Sequence, residues 1–195
     1  MARPKAFDED AVLDKAVNLF WCRGYEATSV QDLVDGLGIN RASLYDTYGD
    51  KHNLYVRALE KHRDTQQSGL CRHLDQTKSA FDLLRDLLTM GIESSLQDPD
   101  HKGCFMVNSA IELAPHDEAI ARIVADNQRV FVDRLAEVIA RGQEEGNISR
   151  VHSAADLATF LFNTYTGINV LAKTRPDPAS LHSVLNVALS TLRPG

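Results

Sequence analysis

The chain has 195 residues, of which 44% are hydrophobic and 25% charged, and its formal net charge is −6 at pH 7. These values are typical of a globular protein with one or two domains, and no apolar run approaches the roughly 20 residues that a membrane span requires. A negative net charge argues against a protein that coats nucleic acid nonspecifically, because such proteins are strongly basic. Any DNA binding must therefore come from a few cations on one surface.

Cysteine usage and the first residues indicate the compartment. The three cysteines, Cys22, Cys71 and Cys104, are an odd and scattered set without a CxxC pair, which predicts reduced thiols, no disulfide framework and no structural metal. The first residues lack the apolar segment of a signal peptide. We therefore expect a cytoplasmic protein with no membrane association and no cofactor.

Helical periodicity recurs along the chain and strand-like alternation is nearly absent, which predicts an all-α fold of about nine helices. The first helix is predicted from Asp8, in an acidic first turn that complements the helix dipole, to Gly24. Its apolar residues form one buried stripe: Leu13, Ala16, Val17 and Phe20. The fourth helix is expected to begin after Asp50, which caps it, and to reach toward residue 74. The remaining helices are predicted at 79–96, 101–113, 117–145, 153–173 and 178–192.

Between these helices, a short helix, a tight turn and a second short helix are predicted. Ser29 is a good cap for the first of them, whose inward positions are Val30, Leu33, Val34 and Leu37. Gly38 then turns the chain, and Asn40 caps a helix that begins at Arg41. By itself this pattern fits a purely structural helical hairpin as well as a helix-turn-helix.

The segment 24–55, GYEATSVQDLVDGLGINRASLYDTYGDKHNLY, resembles the signature of the tetracycline-repressor (TetR) family. The matching features are a Gly-aromatic-x-x-Thr-Ser start, a Leu-x-x-x-Leu-Gly-Ile turn, a Ser-Leu-Tyr recognition helix, and an aromatic residue followed by Lys at the fourth helix. At the level of motifs the resemblance covers about residues 8–56. It implies a helix-turn-helix DNA-binding domain, residues 1–52, and a C-terminal effector-binding and dimerisation domain, residues 53–195.

A recognition helix must be held from behind while it presents polar residues to the major groove. Leu44 and Tyr48, four residues apart, are suited to hold it. Arg41 can reach a guanine edge or a phosphate, and Lys51 at a helix N-terminus can attract a phosphate. Asp46 stands where many family members have Tyr, and it is expected to accept a hydrogen bond from cytosine or from Arg41. The predicted DNA-binding residues are Arg3, Lys5, Thr28, Ser29, Arg41, Ala42, Ser43, Tyr45, Asp46, Thr47, Tyr48 and Lys51.

The segment 101–113, HKGCFMVNSAIEL, lies where this family usually lines its effector cavity. Aromatic and Met side chains with a few amides suit a small, mostly apolar ligand, although plain core packing is the alternative for each of them. The candidate ligand-binding residues are Met90, Cys104, Phe105, Asn108, Phe131, Phe162, Asn163 and Tyr165.

Cys104 carries a separate hypothesis. It lies at a predicted helix N-terminus beside His101 and Lys102, a setting that lowers the pKa of a thiol and favours a sensor of oxidants or electrophiles. The alternative is a buried, inert thiol, since free cysteines are usually buried.

Two apolar stripes on the last two predicted helices are the candidate dimer interface. Two such helices from each subunit could form a four-helix interface around a two-fold axis. The alternative is that they pack within the chain's own core. The predicted interface residues are Leu157, Leu161, Thr164, Ile168, Leu181, Leu185 and Ala188.

The sequence therefore predicts a transcriptional regulator that binds a palindromic, double-stranded operator as a homodimer and is released by an unidentified small-molecule effector. Three alternatives stay open: release through Cys104, constitutive binding without an effector, and activation instead of repression. An enzyme is not expected, since no Ser/His/Asp set, phosphate loop, metal cluster or cofactor fingerprint is evident.

Overall fold

The computed structural model describes residues 7–174 and 177–194, and this part of the chain forms nine α-helices and no strand. The helices are α1 (Glu9–Arg23), α2 (Val30–Leu37), α3 (Arg41–Tyr48), α4 (Lys51–Leu74), α5 (Ala80–Gln97), α6 (Phe105–Glu112), α7 (Glu118–Glu144), α8 (Ala154–Ala172) and α9 (Pro178–Ser190). The predicted all-α class is confirmed. Within the described ranges, no helix is long and apolar enough to cross a membrane.

The helix starts that the sequence predicted in the N-terminal part are confirmed by their caps. Ser29 and Asp32 form a reciprocal capping box at α2, in which each side chain accepts a hydrogen bond from the other residue's backbone N–H. Asn40 caps α3 and Asp50 caps α4, each by accepting a hydrogen bond from a backbone N–H three residues on. Such caps satisfy N–H groups that have no partner inside the helix, which is why they fix where a helix begins.

The buried side chains form two hydrophobic cores. The first contains residues of α1 to α3, the first half of α4, α6 and the start of α7, and the second contains residues of the end of α4, α5, the rest of α7, α8 and α9. The predicted domain boundary at residues 52 and 53 lies in the first turn of α4. This helix passes from one core to the other: Leu54 and Leu59 are in the first core, and Leu70 and Leu74 in the second.

The sixth helix starts four residues later than predicted. His101 and Gly103 have φ angles of 49° and 66°, in the left-handed region, and α6 begins only at Phe105. A right-handed helix cannot pass through such residues. The Asp98 carboxylate instead accepts the N–H of Lys102 at 2.8 Å and holds this segment as a loop.

The predicted dimer stripes lie inside the molecule. Six of the seven residues are at most 3% exposed and belong to the second core: Leu157, Leu161, Ile168, Leu181, Leu185 and Ala188. Thr164 is half-buried, and its hydroxyl donates to the carbonyl of Phe160. The prediction that the six apolar residues form an intermolecular surface is wrong, because they already pack within the chain. The exposed apolar residues of α8 and α9 are different ones: Phe160, Val170, Leu171, Val184 and Val187.

Candidate nucleic-acid interface

A hydrophobic hairpin holds the third helix from behind. Leu33, Leu37 and Leu44 are at most 1% exposed and Ile39 is 7% exposed, so α2, the turn and the inner side of α3 share one core. The opposite side of α3 faces outward. The structure thereby brings six of the predicted DNA-binding residues to one surface, four of them exposed and two half-buried: Arg41, Ala42, Tyr45, Asp46, Ser43 and Thr47.

Two of the predicted DNA contacts are wrong because their side chains are buried. Thr28 is 0% exposed and its hydroxyl donates to the Gly24 carbonyl at 2.6 Å. Tyr48 is 4% exposed, and the Arg57 guanidinium lies 4.9 Å from its ring centroid. Both residues stabilise the helix-turn-helix from inside. Ser29 is exposed but its hydroxyl takes part in the capping box, and Arg3 and Lys5 lie outside the described residues.

The first turn of α4 adds a cation to this region. The ammonium group of Lys51 lies 4.1 Å from the centroid of the Tyr25 ring, a cation–π contact that fixes the side chain near the free N–H groups of the helix start. Two other cations of the N-terminal part are paired with acids: Arg23 with Asp32 at 2.6 Å, and Lys61 with Asp14 at 2.7 Å. Lys51 is therefore well placed to meet a phosphate despite the negative charge of the chain.

Polar contacts join α6 and the residues beside it to α1, α4 and the α1–α2 loop, and the sequence reasoning missed them. They are Trp21 Nε1 to the Gly103 carbonyl (3.0 Å), Tyr55 Oη to Ser109 Oγ (2.7 Å), the N–H groups of Tyr25 and Glu26 to the Glu112 carboxylate (3.0 and 2.9 Å), and His52 Nε2 to Asp117 (2.5 Å). No sequence signal marks such pairs, because their partners are 50 to 90 positions apart.

The hydrogen bond between Tyr55 and Ser109 has a defined direction. Ser109 Oγ donates to the Phe105 carbonyl at 2.8 Å, so it accepts from the Tyr55 hydroxyl. Burial raises the pKa of Tyr55 to about 12, and the phenol therefore remains a proton donor at neutral pH. This bond fixes the middle of α6 to α4.

Part of the predicted ligand-binding set is brought together between α5, α7 and α8. The Phe131 ring packs against Phe162 and Tyr165 at centroid distances of 5.6 and 5.9 Å. Tyr165 lies so close to Gly91 that a Cβ there would be 2.5 Å from its ring. Asn169, which the sequence reasoning missed, is 3% exposed and accepts a hydrogen bond from the Ser95 hydroxyl at 3.2 Å.

Other predicted lining residues lie elsewhere. Met90 is 58% exposed on an open groove, and Asn163 is also exposed. Phe105 is 1% exposed in the first core, with its ring 5.5 Å from that of Tyr55. These three side chains do not join the Phe131 cluster, and their role in ligand binding stays a prediction. Asn108 lies nearer the α6 start, where its amide bonds the Lys102 carbonyl and the Lys173 ammonium, both at 2.9 Å.

Cys104 is the N-cap residue of α6 and is half-buried. Burial raises the pKa of its thiol, and the N–H groups of Met106 and Val107 offset only part of that effect. The ammonium of Lys102, expected to lower this pKa, lies 3.0 Å from the Asp98 carboxylate. The predicted lowering of the Cys104 pKa is therefore wrong.

Comparison with known proteins agrees with this arrangement. Residues 12–58 match the model of the bacterial regulatory proteins of the tetR family, and residues 80–188 match a tetracyclin repressor-like C-terminal domain. The chain belongs to the TetR family. The resemblance inferred from the α2–α3 segment is thus confirmed, and this TetR-family chain is a DNA-binding transcriptional regulator with an N-terminal helix-turn-helix.

Individual relatives extend over nearly the whole TetR-family chain. The uncharacterized HTH-type transcriptional regulator YezE of Bacillus subtilis (strain 168) is 34% identical over 98% of this chain and 100% of its own length. The HTH-type transcriptional repressor ComR of Escherichia coli (strain K12) is 32% identical, covering 98% of this chain and 90% of ComR. A cysteine mutant of the TetR family regulator CifR, solved with a 26-bp double-strand operator DNA, is 29% identical with a TM-score of 0.86, covering 98% of this chain and 100% of CifR.

Proposed function

We propose that this TetR-family regulator is a homodimeric repressor that binds a palindromic operator with paired α3 helices and is released by a small-molecule effector. The observation that carries the proposal is the outward polar face of α3 on a hairpin whose inner apolar residues are buried. The CifR structure supports it, since that related protein is complexed with operator DNA. The cytoplasmic location expected from the sequence stays a prediction.

Five side chains on the α3 surface, and Lys51 on α4, have a defined role in this proposal. Arg41 donates two hydrogen bonds to a guanine edge or contacts a phosphate, and the Ala42 methyl group meets a thymine methyl group. Ser43 and Tyr45 donate to phosphates, which sets the register of the helix without reading sequence. Asp46, near the middle of the helix, accepts from a cytosine amino group. Lys51 holds a backbone phosphate beside the start of α4.

A second copy of this chain is the proposed occupant of the exposed apolar face of α8 and α9. That face contains Phe160, Val170, Leu171, Val184 and Val187, five of the nine large exposed apolar residues of the described part. Gly167 on α8 has open space at its Cβ position, which permits close approach of a partner helix. Two helices from each copy make a four-helix interface around a two-fold axis, and a palindromic operator needs that symmetry.

The proposed effector site lies around the Phe131, Phe162 and Tyr165 rings, with the Asn169 amide as the polar group. The three aromatic rings favour a small, mostly apolar ligand, and the Asn169 amide orients that ligand by a hydrogen bond. Binding releases DNA only if the ligand prefers the state in which the two α3 helices no longer match successive major grooves. If the protein instead binds DNA constitutively, no such ligand exists. If it is an activator, the bound protein raises transcription from its operator.

Oxidation of Cys104 is the second candidate trigger, favoured by its place at the N-cap of α6, where it packs against the first core. The raised thiol pKa makes it a slow nucleophile at neutral pH. If hypochlorite or an electrophile releases DNA from the Cys104→Ser variant as readily as from the wild type, the thiol is not the trigger.

Selection of bound duplexes from a random pool by the purified full chain tests the DNA-binding proposal. The expected product is a palindrome whose half-sites are about 10 base pairs apart, so that the α3 helices sit about 34–36 Å apart. Arg41→Ala should cost about 1–3 kcal/mol of binding free energy and relax the preference at one position. Lys51→Ala should weaken all sequences alike and reduce the salt slope by about one unit.

Arg129→Ala is the matched control for these substitutions, because Arg129 is 65% exposed on α7, away from the helix-turn-helix. It should leave affinity and salt slope unchanged. A wild-type protein that enriches no palindrome at modest salt overturns the proposed function.

A further inference from the structure

Glu112, the last residue of α6, makes a two-pronged contact with the backbone of the α1–α2 loop. Its Oε2 accepts the N–H of Tyr25 at 3.0 Å and its Oε1 accepts the N–H of Glu26 at 2.9 Å. The preceding Gly24 has a φ of 84°, which turns the two following N–H groups toward the same side. A Cβ on Gly24 would lie 3.1 Å from Oε2, so a glycine there lets the carboxylate come this close.

The helix itself does not favour a carboxylate at this position. The C-terminal end of a helix carries partial negative charge, so an acid there is unfavourable. Glu112 ends α6 and is half-buried against the loop. Charge-assisted hydrogen bonds to two backbone N–H groups compensate for that cost. Its contacts with the α1–α2 loop, and not the preferences of α6, therefore explain this acid.

The loop that Glu112 holds leads directly to groups proposed to contact DNA. The Tyr25 ring carries the Lys51 ammonium at 4.1 Å and packs edge-on against Tyr55 at 5.1 Å. The Tyr25 carbonyl accepts the N–H of Thr28 at 3.2 Å, one residue before the cap of α2. Moving the backbone at Tyr25 would therefore displace both Lys51 and the start of α2, which carries α3 through the tight turn.

We infer that Glu112 is a positioning residue for DNA binding: its carboxylate clamps the α1–α2 loop to the end of α6 and thereby sets where Lys51 and the helix-turn-helix stand. The inference rests on the proposed function. The clamp also connects α6 to the helix-turn-helix. If an effector shifts α6, the movement would pass through the two Glu112 hydrogen bonds to the loop and through the Tyr25 ring to Lys51.

The Glu112→Gln variant of the full chain tests the clamp, with Glu26→Gln as the matched control. Both substitutions remove one negative charge at the same loop, but only the first one disturbs the clamp, because the Glu26 side chain is exposed and only its backbone N–H is held. Loss of a negative charge near DNA should by itself strengthen binding. If Glu112 acts as a clamp, the Glu112→Gln variant should instead bind DNA more weakly.

The expected result is that Glu112→Gln binds the selected duplex about tenfold more weakly, with a salt slope smaller by about one unit as the Lys51 contact is lost. Glu26→Gln should bind as tightly as the wild type or more tightly, with its slope unchanged. Circular dichroism at the binding temperature shows whether each variant is folded, and unfolded variants are excluded. Partial unfolding lowers the concentration of active protein but does not change the salt slope of the binding constant. Wild-type affinity and slope in Glu112→Gln would overturn the inference.

Hydrogen exchange provides a readout that needs no DNA. The amide protons of Tyr25 and Glu26 should exchange at least tenfold faster in Glu112→Gln than in the wild type, while the amides of α4 are unchanged. Equal exchange in both proteins overturns the clamp, whereas a wild type that binds no duplex overturns the proposed function.

Discussion

His52 Nε2 lies 2.5 Å from a carboxylate oxygen of Asp117, and this contact joins the first turn of α4 to the N-cap of α7. The other oxygen of Asp117 accepts the N–H groups of Ala119 and Ile120 and so caps α7. Burial acts to raise the Asp117 pKa, but the Ile120 N–H and His52 outweigh it and hold the pKa below its ordinary value. The stability this gives is present above the ordinary carboxyl pKa and is lost as pH falls through the lowered one.

Substitutions at Asp117 separate its two roles. Asp117→Asn keeps an oxygen that caps α7 and loses the charge that faces His52, so we expect a loss of at most about 1 kcal/mol in the free energy of unfolding. Asp117→Ala loses both interactions and should cost about 1–2 kcal/mol. Urea unfolding at neutral pH measures both values. Equal losses in the two variants would contradict a contribution from the cap.

His62 makes the stability of the protein sensitive to acid. It is 8% exposed between the rings of Trp21 and Phe105, at centroid distances of 4.9 and 5.4 Å, and burial lowers its pKa to about 4. The unfolded chain takes up this proton near pH 6.5, so stability is complete above that pH and falls as pH drops toward 4, by about 3 kcal/mol. We expect His62→Phe to remove that part of the dependence.

Urea unfolding at pH 7 and at pH 4.5 measures this effect, and His152→Phe is its control because His152 is exposed. The control should lose as much stability as the wild type on acidification. An identical loss in His62→Phe would show that His62 does not titrate in this window.

Two helical glycines should respond in opposite directions to alanine. A Cβ on Gly142 in α7 would lie 2.6 Å from Ile148 Cδ1 and 2.7 Å from Ala80 Cβ, whereas a Cβ on Gly69 in α4 would meet nothing within 4 Å. Gly142→Ala should therefore destabilise the fold by about 1–3 kcal/mol. Gly69→Ala should stabilise it by about 0.5–1 kcal/mol, since alanine favours the helix. Thermal unfolding of the two variants checks the signs, and a stable Gly142→Ala would contradict the packing of α7 on α5.

If the exposed apolar face of α8 and α9 forms the dimer interface, a charged residue placed in that face should make the protein monomeric. Val187 on α9 is 66% exposed within that face, and Val151, 80% exposed in the loop before α8, lies outside it. Val187→Glu should yield a monomer of about 22 kDa with weakened operator binding, because burying an unpaired carboxylate in an apolar interface is unfavourable. Val151→Glu should remain a dimer. Light scattering at matched concentrations measures both, and a dimeric Val187→Glu would move the interface elsewhere.

The helix caps that the sequence predicted in the N-terminal part are confirmed, because each depends only on neighbouring residues. The caps at Ser29, Asn40 and Asp50 give the starts of three helices, because each side chain bonds to a backbone group three residues away. The outward face of α3 is likewise set by helical spacing against Leu44. The predicted start of α6 was wrong because His101 adopts a left-handed backbone conformation. Its loop imposes this conformation, and the residue's own backbone preferences do not indicate it.

The sequence by itself determined the all-helical class, the helix-turn-helix and the family, since periodicity, caps and a contiguous motif are local properties. Only the tertiary structure decided which partner each apolar stripe meets: Leu161 and Leu185 cover the chain's own core, and Val187 is left outside. Periodicity shows that one side of a helix is buried, but not against what. The contact of Glu112 with Tyr25 spans 87 positions and depends on how α6 packs, so no local pattern could have predicted it.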